Sequence, residues 1–302
     1  MATVSDKIPR LLVLGSAAAE GIPAIFCDCR VCRAAAEHGG PDVRARASYN
    51  FGGTIQIDFG PDILQAWQTY RETLSRMRHI LVTHAHEDHL HPEDLLYRGP
   101  GFASVPIPEG IVTIHGTGKT YEKIRDGFWL RPEETFDGKL AHSRLAFHEF
   151  KQFDAFALPD VGAFVRTFKA DHDIRLDPCI LTVTMGGRTV LIGHDTGLFP
   201  IETWKAIEAL RGELSIDIAV LDDTGMLKGV PGAPEGDAWV SNHMSAPSIL
   251  ETLDKLDALG LLAPDCIRAV NHFSHNGGST HDEMRAFYEP RGIVVCHDGM
   301  EL

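Results

Sequence analysis

Three imidazoles and two carboxylates fall within the six positions His84 to His89, in the run Thr83-His84-Ala85-His86-Glu87-Asp88-His89, directly after the apolar stretch Ile80-Leu81-Val82. On an extended segment side chains alternate with a period of two, so His84 and His86 share a side and can reach one metal ion. Asp88 and His89 then turn towards a second. Borderline metals such as zinc accept imidazole nitrogen and carboxylate oxygen, and two ions about 3.5–4 Å apart clamp both the attacking and the leaving oxygen of a displacement. A solvated histidine-rich loop would have no use for this spacing behind a buried strand, even in a chain with 16 histidines.

Cysteines form a second set. Cys27-Asp28-Cys29-Arg30-Val31-Cys32 is a C-x-C-x-x-C run, and three thiolates this close can wrap one tetrahedral zinc that takes its fourth ligand from elsewhere. A disulfide is disfavoured, because the short spacing would strain it and nothing in the sequence signals an oxidising compartment. Cys179, Cys266 and Cys296 are scattered in apolar contexts and read as core thiols.

The H-x-H-x-D-H run resembles the second motif of the metallo-β-lactamase superfamily, and the other motifs follow in order between residues 58 and 272. Asp58 in Ile57-Asp58-Phe59-Gly60 resembles the aspartate that braces the metal loop. His172 resembles the third motif, Asp195 in Gly193-His194-Asp195-Thr196-Gly197 the fourth, and His272 in Ala269-Val270-Asn271-His272-Phe273 the fifth. The resemblance implies a four-layer αββα sandwich, an α/β fold of two mixed sheets with helices outside. It also implies that His84, His86 and His172 hold one divalent ion, zinc or manganese, and Asp88, His89 and His272 the other, with Asp195 bridging. The cysteine run preceded by Leu14-Gly15-Ser16, with a distal H-x-x-H, is similar to the phosphoribosyl cyclic phosphodiesterases of phosphonate breakdown. That similarity makes His275, three residues after His272, the fourth ligand of a structural zinc beside Cys27, Cys29 and Cys32. The stretch from Leu14 through Gly21-Ile22-Pro23 to Cys27 also resembles the B proteins of pyrroloquinoline quinone biosynthesis, which usually depart from the full H-x-H-x-D-H pattern kept here.

Two divalent ions supply the nucleophile and neutralise growing charge, but a departing alkoxide still needs a proton from a positioned acid. His243, in Ser241-Asn242-His243-Met244-Ser245, stands before a helix and resembles the proton-donor position of related phosphodiesterases. With Asp88 it makes up the expected catalytic pair. His91, His115, His194, His281 and His297 have weaker cases, with His194 a candidate to support the ligands. The implied activity is hydrolysis of a small phosphodiester, most specifically a cyclic phosphoribosyl ester. Lactone, thioester or lactam hydrolysis in the same cage is the alternative, and a quinone-biosynthesis role the non-hydrolytic one.

Charge narrows the partners. At a formal −14 and without a Lys/Arg cluster, the chain lacks the basic patch of a nucleic-acid binder, and the flexible basic arm of the related tRNA-processing endonucleases is missing too. A small phosphate ester remains compatible, because bound divalent ions supply positive potential locally. Leu11-Leu12-Val13-Leu14 is too short for a signal or a membrane span and reads as a first strand, so a cytoplasmic enzyme with no membrane partner is expected. A homodimer is one expected assembly.

Elements that could position these groups alternate strand and helix over one domain, residues 1–302, because ligands from both halves must converge. Thr54 to Asp58 alternates as a strand. Pro61 opens a helix with Ile63, Leu64, Trp67, Leu74 and Met77 facing a core. Gly186-Gly187 between Thr182–Met185 and Arg188–Ile192 signals a hairpin that delivers Asp195 past a strand end. Pro200 starts a helix stopped by Gly212, Ile216 to Leu221 is a buried strand ending at Asp222-Asp223, Ser245 caps a helix that ends before Gly260, and Thr280 with Glu283 forms a capping box. Gly292 to Cys296 is a final strand. Residues 99–160 are expected to hold strands, a short helix and a substrate-facing loop. Gly116-Thr117-Gly118-Lys119-Thr120 is rejected as a phosphate loop, because Thr113 stands where the first glycine is needed. The glycine- and proline-rich stretch from Lys228 to Asp237 reads as a surface loop.

Overall fold

The computed structural model describes residues 8–236 and 241–302. Part of the polar start, Met1 to Lys7, and Asp237 at the end of the expected surface loop lie outside the described residues. Six strands form one sheet in chain order: β1 (Leu11–Gly15), β2 (Ser48–Phe51), β3 (Ile55–Ile57), β4 (His79–Leu81), β5 (Val112–Gly116) and β6 (Leu145–Glu149). Seven more, β7 (Ala155–Leu158), β8 (Ala163–Lys169), β9 (Cys179–Met185), β10 (Arg188–Gly193), β11 (Ile216–Asp222), β12 (Leu262–Asn271) and β13 (Ile293–Val295), form a second sheet in the order β13-β12-β11-β10-β9-β8-β7. Both sheets are mixed. In the first, β3 to β6 run parallel after two antiparallel steps, and in the second β10 to β13 run parallel after three.

Period-two alternation splits the apolar residues between layers. Leu11 and Val13 of β1 pack with Leu181, Val183, Val190 and Ile218 between the sheets, while Leu12 and Leu14 join the cluster on the outer face. That outer cluster is covered by α2 (Ile63–Thr69), α3 (Arg71–Leu74), α4 (Gly118–Gly127) and α5 (Phe136–His142), through Ile63, Leu74, Ile124 and Leu140. On the far side, α1 (Arg30–His38), α6 (Ile201–Glu208), α7 (Ala246–Ala258) and α8 (His281–Tyr288) bring Val31, Ile207, Leu253 and Met284 onto Ile180, Leu191 and Val270. The result is the αββα sandwich. Because both faces of each sheet are covered, central strands such as Ile216–Asp222 are almost wholly buried, as parallel sheets require. Truncating Leu181, fully buried between the sheets, would cost about 2–5 kcal/mol.

Gly186 and Gly187 have φ of 56° and 78°, the pair of positive values that a two-residue hairpin between β9 and β10 needs. Ser245 and Thr280 each form a capping box at the start of α7 and α8. Along the open edge of β1, the last residues of the chain pair back: Leu11 N donates to Leu302 O (3.1 Å), Leu302 N to Leu11 O (2.9 Å) and Val13 N to Met300 O (2.8 Å).

Several expectations need correction. The helix after Pro61 begins only at Ile63, with Asp62 before it, and breaks at Tyr70 into two short pieces; Leu64 is exposed instead of facing the core. Asp62 does not cap the helix, because its carboxylate takes the backbone N–H and guanidinium of Arg46. Residues 99–160 hold two helices, α4 and α5, where one was expected. Cys266 is only half-buried on β12 and is not a core thiol, whereas Cys179 and Cys296 are buried. β2 has no counterpart in the sequence reading: its Asn50 is buried and donates to Gln56 on β3 at 3.4 Å, a polar pair that hides the strand's alternation.

Candidate metal centre

Six strands aim their carboxyl ends at one place. β3, β4, β8, β10, β11 and β12 are followed by Asp58, by the His84 to His89 loop, and by His172, Asp195, Asp222 to Thr224 and His272. Ligands of α/β sheets gather at such ends. Asp58, Asp195 and His272 each have positive φ, at 59°, 54° and 64°. A non-glycine residue in this region is strained, and here the bend turns each side chain back over the strand end.

Asp58 organises the loop from below. Its carboxylate accepts the backbone N–H of Thr83 (2.8 Å), the Thr83 hydroxyl, Nδ1–H of His89 (2.7 Å) and Nε2–H of His194 (2.9 Å). Asn271 donates to the Tyr49 hydroxyl at 2.7 Å, and that hydroxyl donates to Nδ1 of His194 at 3.1 Å. The chain Asn271, Tyr49, His194, Asp58 therefore sets each tautomer and leaves Nε2 of His89 with its lone pair facing the site. Burial would raise the Asp58 carboxyl, but His89 and His194 hold it below the usual carboxylate range.

Above this, two groups of donor atoms converge. Nε2 of His84 lies 2.9 Å from Nδ1 of His86, which lies 3.1 Å from Nε2 of His172; Asp195 is 3.1 Å from His84 and 3.4 Å from His172. On the other side Nε2 of His89 lies 2.9 Å from Asp195 and 3.0 Å from Asp88, and Nε2 of His272 lies 3.7 Å from Asp195 and 3.9 Å from Asp88. Asp195 belongs to both groups. Residues 84–86 lie beyond the end of β4 in irregular backbone that brings the two imidazoles together, and the turn that follows takes Asp88 and His89 to the second group.

These atoms fit divalent cations. Nε2 of His89, Nε2 of His272 and Oδ1 of Asp195 are buried and make no hydrogen bond, an arrangement that costs free energy unless a cation faces them. Donors about 3–4 Å apart suit bonds of about 2.0–2.2 Å to one ion. Charge agrees: burial would lower His272, but Asp195, Asp222 and Asp88 lift it to about 10, so the carboxylates call for positive charge at that point. His84 is driven the other way, to about 4, by burial and by His89.

Asp222 and Thr224, which the sequence reading did not single out as functional, complete the site. Asp222 is fully buried; Oδ1 accepts the backbone N–H groups of Thr224 and Met244 at 3.0 Å, and Oδ2 faces Nδ1 of His243 at 3.1 Å and Nδ1 of His272 at 3.4 Å. The Thr224 hydroxyl sits 2.9 Å from Nδ1 of His272. His243 also lies 3.3 Å from Asp195, so the structure brings it to the donor cluster. Burial would lower its imidazole, but Asp222 and Asp195 raise it above the ordinary value. The only hint of Asp222 in the sequence is an acidic residue ending an apolar strand.

His275 Nδ1 lies 3.5 Å from the thiol sulfurs of both Cys27 and Cys29, and Cys32 completes a four-residue group with them. The Cys29 sulfur accepts the Cys32 N–H at the start of α1, and the Cys32 sulfur accepts the Ala24 N–H. Burial would raise the Cys29 thiol, but the Cys32 N–H and His275 bring it to about 7; burial pushes Cys32 up to about 12. Three sulfurs and one nitrogen in this arrangement fit a tetrahedral zinc. His272 and His275 lie on one loop, so the two groups share their backbone support.

The remaining histidines stay apart. His91 pairs with Glu93, His281 with Arg44, and His297 with the carbonyl of Asp298. His115 stands in a separate row, with Nε2 3.0 Å from His79 and Nδ1 3.2 Å from His148, while His79 reaches Asp160. No helix of the described residues is long and apolar enough to cross a membrane.

Comparisons with known proteins agree with this geometry. A β-lactamase superfamily domain matches residues 54–263. The fold is similar to the crystal structure of a diphosphatase from the PhnP family, with a TM-score of 0.68 and 24% identity over 98% of this chain and 97% of that one. It is equally similar to zinc-bound PqqB from Methylobacterium extorquens, at 0.68 and 20% identity over 97% and 99%. An octanoyltransferase of Porphyromonas gingivalis is 36% identical over 85 residues, 27% of this chain; the match spans only 16% of that protein's length. With its two mixed sheets, its converging histidines and aspartates and the matched domain, the chain belongs to the β-lactamase superfamily as a protein of the metallo-β-lactamase fold.

Proposed function

We propose that this metallo-hydrolase cleaves a small phosphodiester, most specifically a cyclic phosphoribosyl-type ester, at a dinuclear zinc or manganese centre. One group of ligands is His84, His86 and His172, the other Asp88, His89 and His272, and Asp195 serves both. Cys27, Cys29, Cys32 and His275 hold a structural zinc. Ions at the dinuclear site would supply Lewis acidity and bring the pKa of a water towards neutrality. The observation that carries the reading is the place of His243. Its Nδ1 lies 3.1 Å from Asp222 and 3.3 Å from Asp195, beside the donor cluster, which leaves the other ring nitrogen, Nε2, to hold a proton for a departing alkoxide. A thiolate leaves without such help, so this arrangement favours an oxygen ester over a thioester. Asp88, a carboxylate at the same cluster, is the second catalytic group. A small substrate suits a chain of formal charge −14, with neither a nucleic acid nor a membrane as partner.

The test is a substrate panel. Turnover of a cyclic ribose phosphodiester, with zinc and manganese exchanged, should exceed turnover of thioesters by at least about 10²-fold, the size of one acid's contribution, and bis-p-nitrophenyl phosphate should be hydrolysed faster than lactones under the same metals. Faster lactone or thioester turnover under the same metals overturns the reading.

A further inference from the structure

Behind the metal loop, on the outer face of the first sheet, lies a cavity of about 320 Å³. Its walls are Phe59, Ile63, Trp67, Ile80, Leu95 and Val112 among others, nearly all apolar. Phe59 ties it to the site: its N–H donates to His89 O at 2.8 Å and its carbonyl accepts His91 N–H at 2.7 Å. The cavity is separate from the metal ligands, none of which lines it.

Water does not suit this space. An ordered water needs two to four polar partners, and an apolar cavity of roughly 150 Å³ already takes up a benzene-sized molecule. The charged groups at this cavity are Asp94 and Arg98. The Arg98 guanidinium is spent on main-chain carbonyls, donating to Ile107 O at 2.8 Å, Pro108 O at 2.7 Å and Gly110 O at 2.7 Å. It has no fork left for a carboxylate. The Asp94 carboxylate offsets the charge of that guanidinium, so an anionic head group gains no net attraction here. Around the mouth Leu64, Tyr97 and Val105 are 59%, 56% and 79% exposed, an apolar rim that an incoming apolar molecule would cover.

We propose that this cavity is a binding site for a neutral apolar small molecule, of the size of two or three linked aromatic rings or a medium-length aliphatic alcohol. Fatty acids and other anionic amphiphiles are disfavoured, because their head group would lose hydration with no free cation to replace it. The site is independent of the hydrolytic reading and does not require the metals.

The probe is N-phenyl-1-naphthylamine, with 1-anilinonaphthalene-8-sulfonate as the same ring system carrying a negative charge. Titration of the full chain should give saturable fluorescence at one site, with energy transfer that drops in Trp67→Phe, and at least tenfold weaker binding of the sulfonate. Decanol should displace the probe and decanoate should not. Ala103→Trp fills the cavity and Leu64→Lys charges its mouth; each should weaken the neutral probe at least tenfold while keeping the wild-type melting temperature. Leu64 is exposed, so that variant retains the fold even if the filled one does not. The proposal is overturned by non-saturable binding, by equal affinity for the sulfonate, or by unchanged binding in a folded Leu64→Lys variant. It also fails if sedimentation shows self-association that Leu64→Lys abolishes, since the rim would then be a contact between copies.

Discussion

Oδ2 of Asp222 lies 3.1 Å from Nδ1 of His243, inside a carboxylate that is fully buried and anchored on its other oxygen by two backbone N–H groups. Such an acceptor cannot rotate away, so it fixes which imidazole edge of His243 faces outwards. His243→Ala should keep the metals yet slow hydrolysis of an alkoxide ester by roughly 10²–10⁴. A nitrophenolate departs unaided, so the loss on bis-p-nitrophenyl phosphate should be small. Equal losses on the two substrates would assign His243 to support of the metals or the fold.

Asp195 is the side chain common to both donor groups. Asp195→Ala should abolish turnover and release ions from both, and His84→Ala should come close to it. Metal content by elemental analysis checks this alongside activity. Near-wild-type hydrolysis with two ions retained in either variant would refute the ligand assignment.

The cysteine group should behave differently. Cys29→Ala removes a sulfur that faces His275 and starts α1, so the expected result is loss of one zinc per chain and a lower melting temperature. Since structural zinc sites contribute directly to folding, the destabilisation should reach several kcal/mol, of the order of 3. Wild-type protein prepared without chelator that carries no metal beyond the dinuclear pair would contradict it.

Acid should loosen the fold through His115. Burial, then His79 and His148, push its imidazole down to about 3, against roughly 6.5 in an unfolded chain. The unfolded state thus takes up a proton that the folded state refuses. Stability is complete above about pH 6.5 and falls as the pH drops from there towards 3. Between pH 7 and 4.5 the contribution is roughly 2 kcal/mol. His115→Phe, placed against Phe156, whose ring centroid is 5.4 Å from that of His115, should flatten that part of the profile in denaturant unfolding. Metal loss is common to both proteins and cancels in the difference, so parallel profiles would rule His115 out.

Legibility in the sequence followed chemistry more than position. The loop from His84 to His89 could be read because its spacing is itself the geometry, two imidazoles on one side and then a turn. Asp195 and His272 could be located by motif order, but their left-handed backbones could not, since nothing in an aspartate or histidine announces positive φ. Asp222 was hidden because one carboxylate after an apolar strand is common, and only its bonds to His243 and Met244 mark it. In the fold, a buried apolar run, an N-cap serine and a capping box revealed β11, α7 and α8 in turn. β2 was obscured by Asn50, and the break at Tyr70 by the lack of any glycine or proline there.

The backbone pairing of Leu11 with Leu302 has a consequence for biosynthesis. At about 5–20 residues per second, the edge of β1 waits on the order of tens of seconds before its last partner leaves the ribosome. Through that interval an apolar strand edge stays open to any other extended chain nearby. The segment Gly299 to Leu302 is therefore a late clasp on that edge, and a chain cut short before it would keep β2 on one side of its first strand and leave the other side open.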